Sequence, residues 1–268
     1  MEVLYGLHPV EEAVRAGGRR LESVLVQSSR HDLRLQRVID ACREAGVQLR
    51  FGPREQLSRL AGTAGHQGVV AVVARHNFVD LDDLLTPRGE HLFLLALDGV
   101  EDPHNLGALL RTADAAGVDG VLLPERRSAP INATVAKASA GAVEHLRIAR
   151  VPNLVRALEE LKRRNLWCIG LDERAMQEHD QFDFRTPCVL VLGREGAGLH
   201  DLVRRTCDHL LRVPMAGKVA SLNVSVAGAV VMFEAVRQRR MASADGSAGP
   251  EMSVRTESAY NTRKGKAR

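Results

Sequence analysis

Hydrophobic and polar positions along the chain change period repeatedly, and each change marks an element. Residues 9–16 read as a helix, and LESVLVQ (21–27) as a strand. LRLQRVIDACREAG (33–46) repeats its apolar residues at helical spacing and stops at a glycine. VQLRF (47–51) alternates as a strand does, residues 53–60 suit a short helix, and GVVAVVA (68–74) is a short β-branched run suited to a buried strand. Residues 76–90 are polar and lack a strong period, which reads as a connector. Beyond it LFLLAL (92–97) is a continuous apolar run of the kind found in central parallel strands. Further strands are predicted at 120–123, 145–149, 166–170, 188–193 and 209–213, with helical patterns between most of them, notably 154–164 and 224–236. Strand and helix alternating in this way predict an α/β fold with a mostly parallel sheet covered on both faces.

Composition adds limits. The chain has 268 residues, enough for one large or two modest domains, and 45% are hydrophobic, as in an ordinary globular protein. Aromatic residues make up only 3%, which argues against a single-strand binder built on stacking platforms. The formal charge of +4 suits a polyanionic partner without proving one. Cys42, Cys168, Cys188 and Cys207 have no metal or redox spacing and read as reduced thiols of a cytosolic protein. No apolar run is long enough to span a membrane, and the first residues do not look like a signal peptide. Residues 242–268, rich in Ser, Gly, Ala and charge, are expected to be a disordered basic tail.

Three short blocks place glycines and polar residues where a strand should end and a helix begin, the position at which α/β proteins hold ligands. In DPHNLGALLRTA (102–113), Asp102 is a good N-cap and Pro103 a good first helical residue. Leu106, Leu109, Leu110 and Ala113 form the buried stripe, and Arg111 projects from roughly the other side. Asn105 does not share a face with Arg111, so it must act from the loop or the first turn. In LVLGREGAGL (190–199), Gly193, Gly196 and Gly198 permit a tight turn and close approach to a ligand, and Glu195 could bind that ligand or orient Arg111. The spacing is neither a dinucleotide fingerprint nor a P-loop. In VPMAGKVASLNVSVAGA (213–229), Ser221 is a plausible N-cap. The helix after it is apolar nearly all round, so it should be buried in the core or in a subunit interface.

Together the blocks resemble the SpoU family of RNA ribose 2′-O-methyltransferases in the SPOUT superfamily. YGLHPVEEAVRAG (5–17) and HQGVVAVV (66–73) resemble the subgroup, the RlmB type, that methylates a guanosine of 23S ribosomal RNA. The resemblance implies a trefoil-knotted parallel sheet with helices on both faces, preceded by a small α/β domain like ribosomal protein L30e. It divides the chain into a substrate-RNA domain (1–75), a linker (76–90), a catalytic domain (91–241) and the tail (242–268). It implies S-adenosylmethionine as cofactor, with Gly193, Val213 and Leu222 as its foremost contacts and Met215, Gly196, Gly198, Ser221 and Asn223 beside them. It also implies a homodimer, no metal, Arg111 as the central catalytic residue, and Asn105 and Glu195 positioning it or the ribose. The expected substrate is 23S ribosomal RNA during ribosome biogenesis. A transfer RNA, or a non-catalytic RNA-binding or ribosome-assembly protein with the same fold, are the alternatives.

Overall fold

The computed structural model describes residues 1–87, 91–219 and 221–244. Its first part runs β1 (Glu2–Tyr5), α1 (Leu7–Ala16), β2 (Leu21–Gln27), α2 (Leu33–Glu44), β3 (Leu49–Gly52), α3 (Arg54–Ala61) and β4 (Val69–Val73). The strands form one sheet in the order β1-β4-β2-β3. The sequence pattern missed β1, which has one fully buried residue, Leu4.

The second part runs β5 (Phe93–Leu97), α4 (Pro103–Ala115), β6 (Gly120–Pro124), α5 (Ala133–Ala138), β7 (Ile148–Val151), α6 (Leu154–Arg163), β8 (Trp167–Leu171), β9 (Gln177–Glu178), β10 (Cys188–Leu192), α7 (Asp201–Thr206), β11 (His209–Arg212) and α8 (Val224–Ala244). Its seven-stranded sheet has the order β7-β6-β5-β10-β8-β11-β9, with every pair parallel. β5 and β10 are buried at every position, because hydrophobic clusters pack on both faces of the sheet. The strand expected at 145–149 starts later, at Ile148, since His145 instead ends a short turn of 3₁₀ helix.

Two glycines let helices approach closely. A Cβ on Gly107 would lie 2.4 Å from the Cβ of Ala138, so α5 rests on α4 there. A Cβ on Gly228 would meet Leu192 at 2.6 Å and Leu109 at 2.8 Å, so α8 lies against β10 and α4. The helix is only half covered. Val231, Met232 and Ala235 are buried, whereas Val226 and Phe233 are each 49% exposed. Its far half is anchored by Arg239, which donates to the carbonyls of His91 and Phe184 and lies over the Phe93 ring.

The connector of the sequence reading is packed on the second sheet. Val79 bridges to Ala149, and Leu84 is fully buried beneath Gly120. The first unit also docks on residues 137–145. Arg19, buried, donates to Glu144 and to Glu2, Lys137 donates to the Gly65 carbonyl, and His145 pairs with Glu12 at 2.8 Å. The expected tail boundary falls inside α8, which continues to Ala244; the rest of that tail lies outside the described residues. No helix among the described residues is long and apolar enough to cross a membrane. Cys42, Cys188 and Cys207 are free thiols, and burial pushes Cys42 up to about 11 and Cys188 and Cys207 up to about 12, which makes them poor nucleophiles near neutrality.

Candidate active site

The parallel strands β5, β8, β10 and β11 end along one edge of the sheet, where their loops converge. After β10 the chain turns back on itself. Arg194 and Gly198 exchange two backbone hydrogen bonds of 3.0 Å, and Gly196 and Gly198 take the left-handed conformation. This closes the turn so tightly on Gly193 that a Cβ there would lie 2.2 Å from the carbonyl carbon of Gly198. No residue with a side chain fits at Gly193 without opening the loop.

The turn forms one wall of a 520 Å³ cleft. Gly193, Gly196, Gly198, Val213, Met215, Ser221 and Leu222 all line it, so seven of the expected cofactor contacts come together. Asp172, Glu178, Arg204 and Arg212, which sequence reasoning missed, also line the cleft. The signal was present for Asp172, because it directly follows a parallel strand, β8. Burial pushes the Asp172 carboxyl up, but hydrogen bonds from the Arg174 backbone N–H and the Arg204 guanidinium outweigh it and hold the group below the usual carboxylate range.

Asn223, the eighth expected contact, does not line the cleft. It belongs to a closed network with Asn105 and Glu195. Asn105 Nδ2 donates to Glu195 Oε2 at 2.8 Å. Asn223 Nδ2 donates to Asn105 Oδ1 at 3.0 Å and to Glu195 Oε1 at 3.2 Å. Each of the three sequence blocks supplies one member. Asn105 sits in the first turn of α4, 9% exposed, and its backbone N–H is capped by Asp102 at 3.0 Å. Asn223 Oδ1 also accepts from the Ser225 N–H at 2.9 Å and so caps α8. That corrects the expectation for Ser221, which stands too far from Val224 to do so. A short polar residue directly before the helix was the better signal.

The network bears on one of the two roles expected for Glu195, that of orienting Arg111. Its carboxylate is held by two amides and not by Arg111. Arg111 lies further along α4, exposed, and its side chain makes no hydrogen bond or ion pair among the described residues. A helix turns about 100° per residue, so the six-residue step from Asn105 points Arg111 away from the network.

Cleft and network together can bind a nucleoside-sized ligand through backbone and apolar groups and fix a carboxylate beside it. Among the described residues no cluster of His, Cys, Asp and Glu is suited to a metal ion.

Comparison with known proteins agrees with this chemistry. Residues 92–233 match the SpoU rRNA methylase family, and residues 3–79 match a module described as RNA 2′-O ribose methyltransferase substrate binding. The chain is 46% identical to a 23S rRNA (guanosine-2′-O-)-methyltransferase, RlmB, of Ralstonia nicotianae, over 91% of this chain and 98% of that protein. It is 45% identical to the protein of the same name from Pseudomonas aeruginosa, over 89% of this chain and 97% of the other. Among solved structures, the SpoU methyltransferase AviRb from Streptomyces viridochromogenes, in complex with AdoMet, superposes with a TM-score of 0.74 at 26% identity, over 89% of this chain and 90% of AviRb.

Proposed function

Since the chain belongs to the SpoU rRNA methylase family, we propose that it transfers the methyl group of S-adenosylmethionine to a ribose 2′-hydroxyl of RNA, at a guanosine of 23S ribosomal RNA. The observation that carries this reading is the network of Asn105, Glu195 and Asn223, which joins all three sequence blocks beside the cleft.

The cleft suits the cofactor's chemistry. Leu192, Leu199, Val213 and Leu222 offer apolar surface to an adenosine, while Glu195, held by amides and not by a guanidinium, offers a carboxylate to a cation. Bound there, S-adenosylmethionine supplies a methyl group already activated by its sulfonium, so no metal is required. The protein's part is alignment and handling of charge. Asn105 and Asn223 hold the Glu195 carboxylate in one orientation at the edge of the cleft. Arg111 contributes as a phosphate ligand and as a stabiliser of negative charge on the attacking oxygen. A guanidinium with a pKa above about 12 is a poor proton acceptor, so the proton leaves through phosphate or water. The Arg111→Ala variant is expected to lose methyl transfer while S-adenosylmethionine still raises its melting temperature. Retained turnover removes Arg111 from the mechanism.

The protein works as a homodimer in this reading. Val226, Val230 and Phe233 follow one another at helical spacing on the uncovered side of α8, an apolar stripe that a second copy would cover. Phe233→Glu should shift sedimentation toward the monomer, and an unchanged profile counts against the stripe. The free cysteines and the ribosomal RNA substrate fit a cytoplasmic site of action.

The deciding experiment is methyl transfer from labelled S-adenosylmethionine to unmodified 23S ribosomal RNA and, separately, to unmodified transfer RNA. The modified position is mapped by its resistance to alkaline cleavage. One 2′-O-methylated guanosine in 23S RNA is the expected result. Label in transfer RNA alone keeps the chemistry and overturns the substrate. Failure to bind the cofactor overturns the enzyme in favour of a non-catalytic RNA-binding protein.

A further inference from the structure

The rim of the cleft carries a second constellation that methyl transfer as described above leaves unused. Asp98, at the end of β5, is 5% exposed. Its carboxylate accepts from the His200 backbone N–H at 2.7 Å and from ring Nδ1 at 2.9 Å. The imidazole is thereby locked at the start of α7, with Nε2 facing Nη1 of Arg127 at 3.3 Å. Arg194 lies across Gly99. A Cβ on Gly99 would come within 2.6 Å of Arg194 Cγ and 3.2 Å of His200 Cε1, so only glycine admits both side chains.

Two guanidiniums and an imidazole therefore gather around residues 98–99. Neither Arg127 nor Arg194 has an ion pair among the described residues, and Arg194 Nε is buried without a hydrogen-bond partner. Asp98, at the base of the group, is engaged by His200. Arg127 itself holds a left-handed backbone, φ 59°, which a side-chain-bearing residue rarely adopts. Strain of this kind persists where the surroundings impose it, and it gathers at ligand-holding sites. The two guanidiniums have no carboxylate of their own, since Asp98 is taken up by His200, and an anion beside them would supply the missing countercharge. Guanidinium groups match the oxygens of a phosphate in geometry as well as in charge. Arg194 also lines the cleft, so the group borders the site where the ribose would react.

We infer that Arg127 and Arg194 form a phosphate-binding subsite that takes a backbone phosphodiester of the RNA beside the nucleotide being methylated, with His200 Nε2 accepting from Arg127 and so orienting its guanidinium. The inference rests on the RNA methyl-transfer reading. Its role is to fix the strand in register, with Asp98 positioning the imidazole.

The test is equilibrium binding of unmodified 23S ribosomal RNA across a potassium chloride series, with methyl-transfer kinetics on the same preparations. Arg127→Ala should lower the slope of log K against log salt by about 0.7 to 0.9, the loss of one phosphate contact. The KM for RNA should rise about five- to ten-fold, the scale of one exposed charge pair to somewhat more, with the KM for S-adenosylmethionine unchanged. Arg127→Lys should restore the slope and His200→Gln should weaken RNA binding. Arg163→Ala, removing an exposed arginine of α6, should leave the RNA KM alone. Wild-type slope and RNA KM in Arg127→Ala overturn the subsite. A lowered slope in a protein that methylates no RNA keeps the subsite as an RNA contact and overturns the enzymatic reading instead.

Discussion

Asn223 combines two tasks that can be separated chemically. Its Oδ1 caps α8, and its Nδ2 binds Asn105 and Glu195. In Asn223→Asp the cap survives, since a carboxylate is an equally good acceptor at that position. The same change removes the donor and sets a second negative charge against Glu195. The variant is expected to melt near the wild-type temperature yet lose most methyl transfer, whereas Asn223→Ala should also lose about 1 kcal/mol of stability with the cap. Equal activity of the Asp variant and the wild type would show that the amide donor is dispensable. Part of this scale was legible in the sequence. Asp102 and Pro103 announce the start of α4 through local chemistry alone, and Gly193, Gly196 and Gly198 announce a tight turn. The partners of Glu195 were not legible, because Asn105 lies 90 residues away along the chain and no local pattern encodes a contact at that distance.

At the scale of elements, hydrophobic period located β5, β10 and α6 closely, because burial on both faces or along one stripe leaves an unambiguous pattern. It failed for β9, with two residues, and for α5, with six, which are too short to show any period. For α8 it suggested burial all round, because period cannot distinguish a face against the core from a face left for a partner. The attachment of α8 depends on a polar cluster as well. The Arg237 guanidinium and the Gln238 amide hold the Glu234 carboxyl down at about 2, below its ordinary 4.5. Gln238 in turn donates to the Phe182 carbonyl and accepts from the Phe184 N–H. A carboxyl depressed by folding stabilises the native state fully above its unfolded pKa, and that stabilisation disappears as pH falls through the folded pKa. The urea midpoint of Glu234→Gln should therefore lie below that of the wild type at neutral pH. The gap should narrow from pH 4.5 down toward 2. A gap independent of pH would assign the effect to packing.

Across the whole molecule, the two sheets are held together by charge buried between them. The side chains of Arg19 and Glu144 are 3% and 2% exposed and pair directly, with Glu2 on the other side of the guanidinium. Breaking a buried pair strands the remaining charge, which typically costs about 3–5 kcal/mol. Arg19→Ala is expected to lower the melting temperature and open the segment after β4 to protease before either sheet unfolds. A single transition with unchanged cleavage would mean that the sheets stay docked without the pair. The sequence marked out both units and the polar segment between them, yet nothing in it singled out Leu84 for the core of the second, since the apolar residues of that segment, Phe78, Val79, Leu81, Leu84 and Leu85, follow no strong period.

The Asn105–Glu195–Asn223 network also has a consequence in time. Its members are separated by 90, 118 and 28 residues, so the loops that must close to bring them together are long, and closing them is slow. Asn223, the last of them, is synthesised after the other two. A nascent or truncated polypeptide can fold its first sheet and much of its second, but it lacks the residue that completes the site. Competence thus arrives only once Asn223 has been made, so products that stop short of it should occupy RNA, at worst, without modifying it.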